Sequence, residues 1–337
     1  MHHTLRATSS QLSRLARVAV FAAGCLALPF ASTAALAQAF PNKPVRIVVP
    51  FPPGAATDNL ARLLGQKLTE SWGQSVVIDN KPGAGSIIGA QAVATAPADG
   101  YTLFMGHIGT HGANPALYAK LPYDPVKDFA PVTSLVSIPN VLAVHPSVPV
   151  NSVAELIALS KAQPGKLNVS SPGISTSAHL IISLFRSVTG ADLTHVPFKG
   201  AAAATQAIVS GEVQAAFDTV TTLMPQARAG KVKVLAITSK DRSAAAPEVQ
   251  PLAESGVPGF DVSTWFAFFV PAGTPRPVID KLNADIIRTM QAKDVADRLA
   301  TMGMTNTSGT PEQLAAHVAS EITRWGRVIK EAGIKVE

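Results

Sequence analysis

The chain has 337 residues, 47% of them hydrophobic and 15% charged, with a formal net charge of +6. That length exceeds what one hydrophobic core usually organises, so two lobes are expected. The positive charge is modest and no Lys/Arg stripe stands out, which argues against a nucleic-acid partner and suits small anionic ligands.

Residues 1–37 read as a secretory leader. Arg6, Arg14 and Arg17, with no acid among them, precede an apolar run over 18–36 that closes on Ala35-Leu36-Ala37. A basic start, a short apolar stretch and an A-x-A site mark a cleavable export signal, so the periplasm is the expected address. Pro29, Ser32 and Thr33 interrupt the run, against a membrane-spanning helix. Lipid attachment at Cys25 would leave a very short apolar stretch before it and ranks below cleavage after Ala37. Cys25 is the only cysteine, so the cleaved chain can hold no disulfide and no Cys-based metal site. Its formal charge falls to +3 with the three arginines.

Beyond the leader the chain alternates strands, Gly/Pro/Ser loops and amphipathic helices. Residues 45–49 form a β-branched run, 50–56 a loop, and Leu60, Leu63, Leu64 and Leu68 follow helical spacing, with Lys67 the polar exception. The pattern repeats with a strand at 76–78, a loop at 80–85 and a helix through Ile87, Ile88 and Val93. A third strand is expected at 101–105, before a loop at 106–112. After Pro139 it restarts with a strand at 141–144 and a helix at 152–162. Further strands are expected at 167–170, 194–198, 213–217, 234–238 and 265–270. The tail from 275 is mainly helical, with Val278, Leu282, Ile286 and Met290 on one face and Leu314, Val318, Ile322, Trp325 and Ile329 on another. Packing that tail back onto the first lobe makes the chain cross twice, near Pro139 and Ser263, and those crossings form a hinge. The reading is α/β: a leader at 1–37, one lobe from 38–139 plus 264–337, a second from 140–263, each a mainly parallel sheet flanked by helices.

The chemistry falls in loops at the carboxyl ends of strands, where open α/β sheets bind ligands. Three loops of the first lobe are alike: Pro50 through Asp58, with Thr57 or Asp58 as helix cap; Asn80 through Ser86; and Gly106 through Gly112. Small residues allow close backbone approach, and the free N–H groups of a first helical turn attract an anion. The second lobe offers Ser170-Ser171-Pro172-Gly173-Ile174-Ser175-Thr176-Ser177 ahead of a helix, and Asp218 closing a strand, where it can accept from a ligand amine or hydroxyl. Read alone, Asp218 is equally a turn residue. Catalytic patterns are weaker. Gly83-x-Gly85-x-x-x-Gly89 follows the second strand and lacks an acid at a strand end about twenty residues on. Gly173 through Ser177 lacks the closing glycine of a nucleophile elbow. His107 and His111 sit four apart, but in a segment that reads as loop, so no metal or other cofactor is expected.

In combination, Pro50-Phe51-Pro52-Pro53-Gly54 with Thr57-Asp58, Asn80-Lys81-Pro82-Gly83-Ala84-Gly85, Asp99-Gly100-Tyr101-Thr102-Leu103, Leu121-Pro122-Tyr123-Asp124-Pro125, Asp128-Phe129-Ala130-Pro131-Val132, His195-Val196-Pro197-Phe198-Lys199-Gly200 and Pro271-Ala272-Gly273-Thr274-Pro275 with Arg324-Trp325 resemble the tripartite tricarboxylate transporter substrate-binding proteins, the TctC-like or Bug family. The likeness runs from Phe40-Pro41 to the end. It implies a two-lobed periplasmic binding fold, type II-like, that takes a small carboxylated solute for transport. By position it implies ligand contacts at Gly54, Ala55, Ala56, Asp58, Gly83, Ala84, Gly85, Thr110 and His111 in the first lobe, and at Ser171, Ser175, Thr176 and Asp218 in the second. The chain departs from the family pattern at Ala55 and Ser175, where glycine is usual, and at Thr219, where Asn or Ser is usual; the added groups narrow the pocket. The expected protein is a monomer that binds rather than catalyses, and that hands its ligand to integral membrane transporter subunits or presents it to a sensor receptor. A secreted α/β hydrolase is the rival from another class.

Overall fold

The structure is a computed structural model that describes residues 40–331 and 333–334; the leader and Cys25 lie outside them. No helix among the described residues is long and apolar enough to cross a membrane.

The first sheet grows from β1 (Val45–Val49), flanked in parallel by β2 (Val76–Asn80) and β3 (Thr102–His107). Its crossovers are α1 (Ala56–Trp72) and α2 (Ile87–Ala94). Leu60, Leu64 and Leu68 recur at helical spacing and are fully buried, each contributing about 1.5–3 kcal/mol. Lys67 sits off that face and pairs with Glu70 and Asp294. After β3 comes a helical turn of π type at Gly109–Ala113 and the short α3 (Asn114–Leu117), where a loop was expected.

Strand β4 (Phe129–Val144) is sixteen residues long and belongs to both sheets. As far as Pro139 it runs antiparallel to β9 (Ser263–Pro271); from Asn140 it runs antiparallel to β7 (Ala215–Thr219) and β8 (Lys233–Ile237). The second sheet continues in parallel through β5 (Asn168–Ser171) and β6 (Thr194–Pro197). It is covered by α4 (Val153–Ala162), α5 (Ser177–Thr189), α6 (Ala201–Val209) and α7 (Val220–Arg228). Parallel pairing thus joins β2–β1–β3 and β7–β5–β6 as the alternating pattern implies. The antiparallel β4, β8, β9 and the two-residue β10 (Thr305–Asn306) make each sheet mixed.

The tail folds as α8 (Arg276–Gln291), α9 (Lys293–Thr301) and α10 (Pro311–Glu331). It packs back against the first sheet, with α10 against β4 and the turn after β3. Trp325 is fully buried there, and the indole N–H groups of Trp265 on β9 and Trp325 on α10 both donate to Glu321 Oε2, at 2.9 and 3.1 Å. One carboxylate therefore fastens the last helix to the strand that precedes the tail.

Candidate functional site

Four helices of at least nine residues point their N-termini at one cavity of about 180 Å³. Its wall includes Gly54, Ala55 and Ala56 at the start of α1, Thr176 and Ser177 at α5, Gly200 and Ala201 at α6, and Asp218 and Thr219 at α7. The caps of α1, α6 and α7 (Ala55, Gly200 and Thr219) make no side-chain hydrogen bond to the helix, and only Thr176 caps its own, accepting from His179 N–H. Backbone N–H groups in a first turn have no partner inside the helix, and the helix dipole adds partial positive charge. Four such ends in one space are chemically suited to an anion. Lys199 lines the same cavity.

The first loop is held in shape by Asp58, which is 2% exposed. Its carboxylate accepts from Gly54 N–H, Arg62 Nε and Asn80 Nδ2, each at 2.9 Å. Burial opposes ionisation, but these hydrogen bonds together hold the carboxyl below the usual aspartate range. Neither Thr57 nor Asp58 is the cap that the sequence predicts. The cap is Ala55, two residues before Thr57, and Asp58 reaches back from the first turn to the N–H of Gly54, the residue before that cap.

The remaining wall is mostly apolar: Phe51, Pro52, Pro53, Pro172, Ala202 and Phe266, with Thr222 and Thr264 between. His107 closes it at the end of β3, tilted on Phe51 with ring centroids 4.9 Å apart. Burial pushes its imidazole down to about 3, so the ring is neutral. Asp218 is pushed the other way, up to about 7, by burial, against the Thr219 N–H that donates to its Oδ1 and the nearby Thr222 hydroxyl.

Of the residues expected from sequence, Gly54, Ala55, Ala56, Thr176 and Asp218 meet at this cavity. Asp58 stands behind its loop. Thr110 and His111 are fully buried, His111 stacked on Phe269 at 3.8 Å between centroids. Gly83 and Ala84 form the turn after β2, and Ser171 bonds to His195 Nε2 at 2.7 Å. Gly85 and Ser175 lie at the seam between the sheets' loops. Ser175 Oγ is 3.3 Å from Tyr118 OH, and a Cβ at Gly85 would sit 2.3 Å from that same phenol. Sequence reasoning passed over His107, Lys199, Gly200, Thr219, Thr222, Thr264 and Phe266 as contacts. Lys199-Gly200 had a signal, since a glycine ahead of the apolar run at 201–209 marks a helix start at a strand end. Thr222 had none.

Residues 60–334 match the family described as tripartite tricarboxylate transporter family receptor, TctC. Protein BugT of Bordetella pertussis is 37% identical over 302 residues, covering 89% of this chain and 93% of its own. Among solved structures, R. palustris Rpa4515 with adipate is 37% identical with a TM-score of 0.84, over 88% of this chain and all of that one. MatC from Rhodopseudomonas palustris with bound malate is 38% identical with a TM-score of 0.81, over 86% of this chain and all of its own.

Proposed function

Because the chain belongs to the tripartite tricarboxylate transporter receptor family, we propose that it is a periplasmic solute-binding protein that captures a small carboxylate between two lobes and delivers it to integral membrane transport subunits. The observation that carries this reading is the convergence of four helix N-termini on one small cavity whose wall comes from loops of both sheets. Structures of relatives that hold adipate and malate support the same ligand class. Gly54, Ala55 and Ala56 offer backbone N–H groups to one carboxylate. Thr176 and Asp218 meet the other end of the ligand. Asp58, Gly83, Ala84, Gly85, Thr110, His111, Ser171 and Ser175 support the loops that do so.

The hinge in this reading lies where β4 changes partners, between Pro139 and Asn140, and where β9 begins at Ser263. The lobes are then 38–139 with 264–337, and 140–263, and residues 1–37 are the cleaved leader. At the crossing Thr264 Oγ1 donates to Asn140 Oδ1 at 2.7 Å and pairs with Ser177 Oγ, so hydrogen bonds link the two connections to the start of α5.

Binding energy of this kind is adequate. Micromolar affinity needs about −8 kcal/mol, and charge-assisted hydrogen bonds contribute roughly 1.5–3 kcal/mol each before association costs. A thermal-shift series with mono- and dicarboxylates on the purified protein tests the reading. A ligand at a hundredfold excess over its Kd stabilises by about 2.7 kcal/mol and raises the Tm measurably. A full series without a shift, with native mass spectrometry finding no carboxylate retained, would end it.

A further inference from the structure

A groove of about 560 Å³ lies between the flanks of α1 and α7, away from the candidate site at their first turns. Arg62 and Leu63 of α1 stand on one side, Val220, Met224 and Arg228 of α7 on the other, and the end of α9 adds Arg298. Among the described residues its wall holds no acid. Arg62 is already paired with Asp58 at 2.9 Å. Arg228 is exposed and gives one N–H to the Ala245 carbonyl at 2.7 Å, and the exposed Arg298 has no hydrogen-bond or ion-pair partner among the described residues. The acids of α9 are engaged elsewhere, Asp294 with Lys67 and Asp297 with Lys293. Two guanidinium charges therefore stand over this groove uncompensated.

The floor narrows the choice of occupant. Val220 and Met224 are buried at its base, and Leu63 and Met302 are half-buried beside them. Leu60, Leu64 and Leu68 of the same helix are fully buried; Leu63 is not, because it turns to this groove. Guanidinium forks match carboxylates in a bidentate pair. Methionine and leucine below them suit an apolar side chain, and methionine repacks readily around different shapes. The amide and hydroxyl groups of Gln66, Thr221 and Thr301 in the same wall suit a peptide backbone. A layer of lipid headgroups would engage the two exposed arginines and leave the recessed floor empty. An acidic polypeptide segment with apolar side chains uses both.

The same two helices wall both spaces. Helix α1 meets the candidate site with Ala56 and Thr57 and the groove with Asn59 and Arg62; α7 meets the site with Thr222 and the groove with Val220 and Thr221. The third wall rests on α7: the Thr221 hydroxyl donates to the Met302 carbonyl, and a Cβ at Gly303 would sit 2.6 Å from Val220 Cγ2. We propose, resting on the reading above that the protein delivers its ligand to membrane subunits, that this groove seats an acidic segment of that partner and reads the separation of α1 from α7. A ligand that draws the two helices together reshapes the groove, and a segment seated there biases the same movement. Such coupling is reciprocal.

Fluorescence anisotropy of a short labelled peptide of glutamate and leucine, added to the purified protein, reads the groove; the same peptide with glutamine for glutamate is the control. The acidic peptide should bind and the control should not, with affinity falling as NaCl rises from about 0.05 to about 0.5 M. Arg298→Glu and Arg228→Glu should each weaken binding about fivefold or more. Arg298 makes no bond that folding needs, so its variant keeps the measurement interpretable should Arg228→Glu lose stability. Saturating malate or adipate should change peptide affinity about fivefold or more. Peptide binding that ignores both arginine variants, or that is equal with and without bound malate or adipate, overturns the proposal. Binding to phosphatidylglycerol vesicles that Arg298→Glu abolishes, with none to the peptide, assigns the groove to lipid and overturns it too. If succinate, malate and adipate all fail to bind, the carboxylate reading falls, and the arginine variants still decide the groove.

Discussion

The imidazole of His107 bonds to Ser86 Oγ through Nε2 at 3.0 Å, while its Nδ1 accepts from Gly109 N–H at 3.0 Å. The second bond puts the proton on Nε2, so His107 donates to Ser86, whose own proton goes to Pro50 O at 3.4 Å. One neutral ring thereby ties together the loops that follow β1, β2 and β3. Both its nitrogens are engaged, so it presents only carbon edge and face to the cavity. Ser86→Ala leaves the Nε2–H buried without a partner, and urea unfolding should show a loss of about 1–3 kcal/mol. Ser86→Gly loses the same bond but relieves a backbone at φ 71°, so its loss should be smaller. Equal stability of wild type and Ser86→Ala would contradict the tie.

Acid should destabilise the protein well before its carboxylates titrate. Burial lowers His107 and His195 to about 3 and His179 to about 4, from 6.5 in an unfolded chain. Between those values the unfolded chain holds more protons, so the stability these rings contribute is complete above pH 6.5 and falls as pH drops toward 4. Asp218 works oppositely: its folded value near 7 against 3.8 means the native state keeps an extra proton, and stability is lost as pH rises through that range. Three rings outweigh one carboxyl. The urea midpoint at pH 4.5 should lie below that at pH 7.5, and an equal or higher midpoint would refute the balance.

At Gly109 the turn after β3 runs against the backbone of Ser175 in the second sheet's loop. A Cβ there would sit 2.1 Å from the Ser175 carbonyl oxygen, which no rotamer change can relieve because the clash is with backbone. Gly109→Ala should therefore pry the seam open, costing roughly 1–3 kcal/mol of overpacking strain. In calorimetry this reads as carboxylate affinity reduced by about tenfold or more. Unchanged affinity would show that the seam plays no part in binding.

Ser175 itself adopts φ 62°, a left-handed backbone that favours glycine. Ser175→Gly should relieve that strain by about 1 kcal/mol while deleting the hydroxyl that meets Tyr118. Stopped-flow release of bound carboxylate should then quicken even as the unliganded protein's Tm holds or rises. Slower release would contradict a bridging role.

Replacing Asp58 by Ala strips acceptors from Gly54 N–H, Arg62 and Asn80 at once. A loss of about 2–3 kcal/mol is expected in urea unfolding, with the exposed Arg62 ion pair contributing least. Asp58→Asn should recover part of it. A loss under about half a kcal/mol in the alanine variant would mean that the loop keeps its shape by other means.

Much of the fold is legible in the sequence because period and punctuation agree. The β-branched run at 45–49 coincides with β1, and the strands expected at 76–78 and 265–270 lie inside β2 and β9. What stayed hidden was the length of β4, because Pro131 and Pro139 look like strand breakers. In the structure the ladder shifts register just after Pro131, and Pro139 falls where β4 exchanges one set of partners for another, so neither has to donate to a regular ladder. The site was legible where glycine, proline and a helix start coincide, as at Gly54-Ala55-Ala56. It was not where a side chain reaches the cavity only through tertiary placement: nothing local distinguishes Thr222 or Phe266 from their neighbours, and His107 gains its role from Ser86 and Gly109, on separate turns.

The late arrival of β9 has a consequence for how the molecule is made. Phe104 pairs with Phe269, and the first half of β4 pairs with the same strand, so the first sheet stays unfinished until nearly the whole chain is present. A product stopped before residue 263 carries one edge of β3 and one of β4 bare, and bare edges recruit other chains. Folding dominated by pairings so distant in sequence is slow. The first sheet cannot complete itself without β9, and prematurely terminated chains should be aggregation-prone and short-lived.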